Sequence, residues 1–232
     1  MEDSLLGRGY WHICELSSQS AEKLLNRLIG EELVFQIGFP GIHGDPSGRI
    51  GEAAAGLRGL LRLSSRPGRI CVPDTNALLH YTWFDQLPWP ERMQVPQVRL
   101  IIPLAVVDEV DAKKYARRAE FQQRARELLT RIDRYVTASP PDGFSPVREG
   151  VTVEILPDEP GHLRIQGNDQ EILERCEFLQ QVTGHPVTLI TGDSGMRINA
   201  QNRGIAVYKL SNEDLLPRYQ QQQEEARDEP SG

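Results

Sequence analysis

The sequence predicts an α/β domain with a mainly parallel sheet of about five strands, preceded by a helical N-terminal appendage. Three observations carry that prediction. From residue 69 onward, short apolar runs recur with stretches of helical periodicity between them, and strands alternating with helices build a mainly parallel sheet. The 232 residues suffice to bury a sizeable core without a covalent staple. The three cysteines, Cys14, Cys71 and Cys176, are too few and too far apart for a disulfide framework or a thiolate metal site.

Residues 1–68 read as the appendage and its linker. Leu24, Leu25, Leu28 and Leu33 give Ser17 to Gln36 helical spacing, a Gly- and Pro-rich loop follows, Ala53 to Leu63 forms a second short helix, and Ser64 to Gly68 links onward. Residues 69–217 form the main domain. Its strands are read at Ile70 to Val72, Leu100 to Ile102, Val151 to Ile155, Val187 to Ile190 and Ile205 to Tyr208. Its helices are read at Asn76 to Tyr81, Leu104 to Tyr135 with a break near Arg118, Asp169 to Val182 and Ser194 to Arg203. Residues 218–232 hold four consecutive glutamines and mixed charges, too little apolar surface to order a segment, and read as a disordered tail.

The net charge of −7 argues against a generally basic surface, yet the charge is segregated. Asp111 to Arg134 carries eight Lys or Arg against four acids. No apolar run approaches the roughly 18 residues of a membrane span, and the acidic start lacks the pattern of a secretory signal. The expectation is a reduced, cytoplasmic protein.

In an open parallel sheet, functional groups collect beyond the carboxyl ends of the strands. Asp74 leaves the first strand directly, and Asp193 leaves the fourth through Thr191-Gly192. Glu109 lies three residues after Val106 and four after Ala105, on the face a helix turns to the sheet. Asp169 precedes Ile172 and Cys176 by three and seven, in the first turn of its helix, where Asn168 and Glu171 resemble a capping box. A single Asp at a strand tip is more often a cap than a ligand, and Asp108 and Asp111 fall off the apolar face as solvated acids. Four acids near one sheet edge change those odds. Their mutual repulsion raises pKa values unless a cation binds among them, and an oxygen-only ligand set suits Mg²⁺ or Mn²⁺ rather than zinc.

Four segments then resemble the signatures of PIN-domain nucleases, in order: Asp74-Thr75-Asn76-Ala77-Leu78-Leu79, Ile102 to Val110, Asn168 to Leu173, and Thr191 to Ala200. The likeness spans roughly Ile70 to Leu210 and is closest to the PIN domain of PhoH-type proteins, with VapC-type ribonucleases as further relatives. It implies a three-layer α/β/α sandwich and Mg²⁺- or Mn²⁺-dependent cleavage of single-stranded RNA. By the same likeness, Asp74, Glu109, Asp169 and Asp193 form the acidic quartet, with Asn76 and Thr191 as supporting polar residues. Asp74 and Asp193 are the direct ligands; Asp169 is a ligand or holds a coordinated water; Glu109 ligates a second ion or orients the attacking water. As partners the resemblance implies single-stranded RNA, and it admits a homodimer and an antitoxin-like protein.

Lys113, Lys114, Arg117, Arg118 and Arg197 are the candidate RNA-binding residues, with Lys114, Arg117 and Arg118 at i, i+3, i+4 spacing beside Tyr115. Arg203 is assigned to the helix end ahead of Gly204. A phosphatase that uses the first Asp as nucleophile needs a second acid two residues on, where Asn76 stands. The non-enzymatic rival is a catalytically inactive PIN fold that binds RNA or protein.

Overall fold

The computed structural model describes residues 58–138, 145–158 and 162–217. The appendage before residue 58 and the tail from 218 lie outside the described residues. Residues 58–65 are helical, within the second predicted helix and two residues into the expected linker. They belong to a unit separate from the sheet domain.

The sheet domain runs β1 (Arg69–Pro73), α1 (Thr75–His80), α2 (Trp89–Met93), β2 (Val98–Pro103), α3 (Leu104–Lys113), α4 (Ala119–Thr137), β3 (Ser145–Arg148), β4 (Val151–Leu156), α5 (Asn168–Thr183), β5 (Val187–Thr191), α6 (Ser194–Asn202) and β6 (Ala206–Lys209). The strand order is β3-β4-β2-β1-β5-β6, parallel throughout except for β3 against β4. All five predicted strands form, and β3 is a sixth.

β3 escaped the sequence reading because Ser145-Pro146-Val147-Arg148 has neither an apolar run nor a clean alternation. Its Pro146 is tolerated because an edge strand need not donate every backbone hydrogen. Gly150 closes the hairpin at a φ of 69°, where a Cβ would also lie 2.7 Å from the Pro96 carbonyl oxygen.

Strands β1, β2 and β5 are apolar because both faces are covered: only Arg69 of these 16 residues is exposed. α3 and α4 pack on each other, on α1, and on β2 and β4. Right-handed crossovers place these helices on one face and α5 and α6 on the other, giving three layers. Val106 and Val110 of α3, Leu128 and Ile132 of α4, Ile172, Leu173, Cys176 and Leu179 of α5, and Met196 and Ala200 of α6 supply the helical half of the core.

Two of the buried strand residues are charged. Arg99 on β2 bonds Glu154 on β4 through both Nε and Nη2, at 2.9 and 3.0 Å, with both side chains almost wholly removed from water. Two hydrogen bonds offset part of the desolvation cost.

The direction of winding reverses at β1. The chain proceeds from β1 through β2 to β4 on one side, then crosses back to β5 and β6 on the other. Strands β1 and β5 are neighbours, with Pro73 beside Ile190. The crevice beyond their carboxyl ends is where such folds hold ligands.

Candidate active site

Asp74 and Asp193 stand side by side at this switch point. The backbone N–H of Asp74 donates to the Ile190 carbonyl at 3.0 Å, so the strand ladder sets Asp74 against the Thr191-Gly192-Asp193 segment. Each Asp caps the helix that follows it. Asp74 accepts from Ala77 N at 2.6 Å and Asp193 from Met196 N at 2.8 Å. Thr191 joins the two, since its hydroxyl hydrogen-bonds the Asp74 carboxylate and its Oγ1 accepts from Asp193 N at 2.9 Å.

Glu109 and Asp169 complete the group. Thr75 Oγ1 donates to Glu109 Oε2 at 2.5 Å, and Lys113 Nζ approaches Glu109 Oε1 at 3.0 Å. Asp169, exposed in the first turn of α5, feels the charges of Asp193, Glu109 and Lys113. The charges of the four sequence-predicted acids thus reach one another in part: Asp169 and Asp193 act on Asp74, and Asp193 and Glu109 on Asp169.

Their environments differ. Asp74 is buried, and that burial, with the charges of Asp169 and Asp193, pushes its carboxyl up from 3.8 to about 6 against the lowering hydrogen bonds from Thr191 and Ala77. Desolvation, Asp193 and Glu109 raise the Asp169 carboxyl too, with Lys113 opposing. The field at the site is negative, and every donor in the quartet is a carboxylate oxygen. That set fits a hard divalent cation.

Several assignments change. Asn76 is exposed on α1, and its buried neighbour Thr75 is the residue tied to the quartet. Lys114, Arg117 and Arg118 share no helical face, because α3 ends at Lys113 and α4 starts at Ala119. Lys113 is engaged with Glu109, and Lys114 pairs with Asp111 at 2.5 Å. Asp108 and Asp111 lie off the buried face as expected, each about half exposed in a surface ion pair, Asp108 with Arg164 at 2.6 Å. Glu171 forms no capping box with Asn168: buried, it accepts from Ile165 N at 2.8 Å and meets His162 at 2.8 Å and Arg175 at 3.4 Å. Arg203 reaches Glu177 and Gln170 on α5 rather than its own helix end. Arg197 lies in the first turn of α6, its Nη2 3.4 Å from Ser194 Oγ.

Tyr81 was missed, and only tertiary proximity shows it. A Cβ placed on Gly192 would stand 2.0 Å from the Tyr81 hydroxyl oxygen and 2.7 Å from Cζ. The phenol thus packs on the backbone between Thr191 and Asp193, and its pKa is raised by burial and by the charges of Asp74, Asp214 and Asp193. Glycine at 192 is a requirement of that approach.

Among the described residues, the group that brings ligand-type atoms within 4.8 Å of one another is Asp158, His162 and Glu171, not the quartet. Here the buried Arg175 guanidinium already lies 3.1 Å from His162 Nδ1 and 3.4 Å from Glu171. Nδ1 facing a donor must accept, which leaves the Nε2 hydrogen pointing at Glu171. His162 and Glu171 are thus tied to a fixed cation, whereas Asp158 accepts from Arg164 at Oδ2 and keeps a buried Oδ1 without a hydrogen-bond partner.

Among the described residues, no helix is long and apolar enough to cross a membrane. No curated protein matches the chain by sequence. One similar solved structure is a domain of a functionally unknown protein from Methanocaldococcus jannaschii DSM 2661, at 20% identity and a TM-score of 0.42, covering 62% of this chain and 92% of that one. Residues 71–211, which include all four acids and every strand but the first two residues of β1, match the PIN domain, and the chain belongs to that family.

Proposed function

We propose that the protein is a divalent-metal-dependent ribonuclease that hydrolyses phosphodiester bonds of single-stranded RNA. PIN domains are typically nucleases. The observation that carries the reading for this chain is the mutual electrostatic influence of Asp74, Glu109, Asp169 and Asp193 near the switch point, with the Asp74 carboxyl pushed up first by its burial and further by the charges of Asp169 and Asp193. Such an arrangement is costly for a fold and serves a cation.

Asp74 and Asp193 would hold Mg²⁺ or Mn²⁺, with Asp169 completing the oxygen set. The cation would lower the pKa of a water and neutralise charge developing on the phosphate. Thr191 fixes Asp74 and Asp193 relative to each other through its single hydroxyl. Thr75 and Lys113 grip Glu109 on separate oxygens, and its remaining lone pairs are free to orient the attacking water and accept its proton. Exposed Arg117 and Arg118, with Arg197 on α6, supply positive charge for the phosphate backbone. The free, buried thiols of Cys71 and Cys176 suit a reducing, cytoplasmic setting.

The test is cleavage of end-labelled single-stranded RNA by the full chain with Mn²⁺ or with chelator, alongside Asp74→Asn and Asp193→Asn. Metal-dependent cleavage reduced to background in both variants supports the assignment; cleavage that survives in either removes it. A second reading rests on the structural use of these acids, since Asp74 and Asp193 cap helices and Glu109 pairs with Lys113. On that reading the protein is a non-catalytic RNA-binding PIN fold, and the same assay returns binding without turnover in every condition.

A further inference from the structure

Five large apolar side chains are exposed among the described residues, and Tyr115 is the one aromatic, at 80% exposure. It lies in the connection between α3 and α4, residues 114–118. The backbone there is fixed: Tyr115 N donates to the Ala112 carbonyl, Ala116 N to the Lys113 carbonyl, and Gln122 Nε2 of α4 to the Ala116 carbonyl at 2.7 Å. The ring is therefore displayed from a pinned turn.

Its surroundings are basic. Arg117 and Arg118 are exposed on the same connection, and Arg126 of α4 is close enough for its charge to act on Lys114. The turn also adjoins the acidic centre. Lys113, whose ammonium contacts Glu109, precedes Tyr115 by two residues, a span of at most about 7 Å of chain. A flat apolar ring set among arginines, one short span from a phosphodiester-cleaving centre, matches the pairing by which single strands are held: aromatic faces for bases, cations for phosphates.

We propose that Tyr115 is a base-stacking platform for a nucleotide flanking the cleaved bond, with Arg117 and Arg118 holding the adjacent phosphates. This rests on the ribonuclease reading for its substrate. It also demands an unpaired substrate, because a base inside a duplex has no free face.

The test measures binding of the full chain to a short single-stranded RNA carrying 2-aminopurine, in chelator, so that no cleavage occurs. Tyr115→Ala weakens binding by roughly 5- to 150-fold, the value of one stacked base (about 1–3 kcal/mol), and removes the quenching of 2-aminopurine; Tyr115→Phe retains both. The slope of log affinity against log salt is unchanged in Tyr115→Ala but flattens by about 1.4 in Arg117→Gln/Arg118→Gln, at roughly 0.7 per phosphate contact. Affinity or quenching unaltered in Tyr115→Ala overturns the proposal, as does a Tyr115→Phe variant that loses as much. So does a fully paired duplex bound as tightly and equally sensitive to Tyr115→Ala. Because binding is read without metal, a protein that stacks through Tyr115 but cleaves nothing removes the ribonuclease reading alone.

Discussion

In the metal-free protein, replacing Asp74 with Asn should stabilise the fold at neutral pH and leave it unchanged near pH 3. Asp74 is 3% exposed, and its carboxyl is raised from 3.8 to about 6. Each tenfold change in acidity corresponds to about 1.4 kcal/mol, so the ionised carboxylate costs the folded state on the order of 3 kcal/mol relative to the unfolded chain. The raised value fixes the sign. Both states hold the proton below pH 3.8, and the cost grows as pH rises to about 6, then stays constant. Asparagine removes the charge while keeping an acceptor for Ala77 N, and Asn caps helices about as well as Asp.

Urea unfolding in chelator should therefore show Asp74→Asn more stable than the native sequence by up to about 3 kcal/mol at pH 8, with a melting point higher by roughly 6–12 °C. The gap should close between pH 6 and pH 4. Millimolar Mn²⁺ should stabilise the native sequence and have little effect on the variant, because a ligand stabilises only the state that binds it. A variant less stable than the native protein at pH 8, or a gap independent of pH, would refute the electrostatic account of Asp74.

Three further perturbations probe the rest of the domain. Glu154→Gln leaves the Arg99 guanidinium buried without its charge partner and should lower stability by about 3–5 kcal/mol in denaturant titrations, whereas Arg99→Met/Glu154→Leu should recover most of the loss. Gly192→Ala drives a methyl into the Tyr81 ring and should cost about 1–3 kcal/mol or more together with RNA cleavage; Tyr81→Ala in the same chain should restore part of the stability. Burial pushes the Cys71 thiol up to about 12 and raises Cys176 further, so in a Cys14→Ser background neither should react with a thiol-specific disulfide reagent at pH 8 until the protein is unfolded.

Local signals explain what the sequence made legible. Five strands announced themselves because each is an apolar run broken by helical periodicity, and β3 did not because an edge strand needs no such run. α2 is only five residues long, with Pro88 before it and Pro90 inside it, too short to show a period. Asp74 and Asp193 were readable because strand tips are fixed points of an α/β domain, and the Glu109–Lys113 pair sits at helical i, i+4 spacing. The role of Thr75 was not readable, since residues 75 and 109 meet only when α1 and α3 pack together. The Tyr81 ring against Gly192 is equally invisible, a contact across 111 positions that leaves no periodic trace.

Buried charge, helix ends and topology act together at this site. The reversal of winding at β1 leaves a crevice between two strands whose following helices both begin there. Each helix start offers unpaired N–H groups, and each takes its own Asp as a cap. Capping alone would favour ionised, low-pKa carboxylates, as hydrogen bonds to the charged form do. Asp74 moves the other way, because burial and the charges of Asp169 and Asp193 outweigh the Ala77 and Thr191 hydrogen bonds. Desolvation is the larger part of that rise, and the smaller part is the negative charge of Asp169 and Asp193. Lys113 offsets part of it at Glu109 and Asp169, but Asp74 and Asp193 have no such partner among the charges acting on Asp74. A cation at that point therefore relieves a cost already present in the folded chain, and linkage makes the relation reciprocal: what weakens the repulsion weakens the affinity. Asp74→Asn should for that reason trade Mn²⁺ affinity for metal-free stability, and the two changes should carry opposite signs at pH 8.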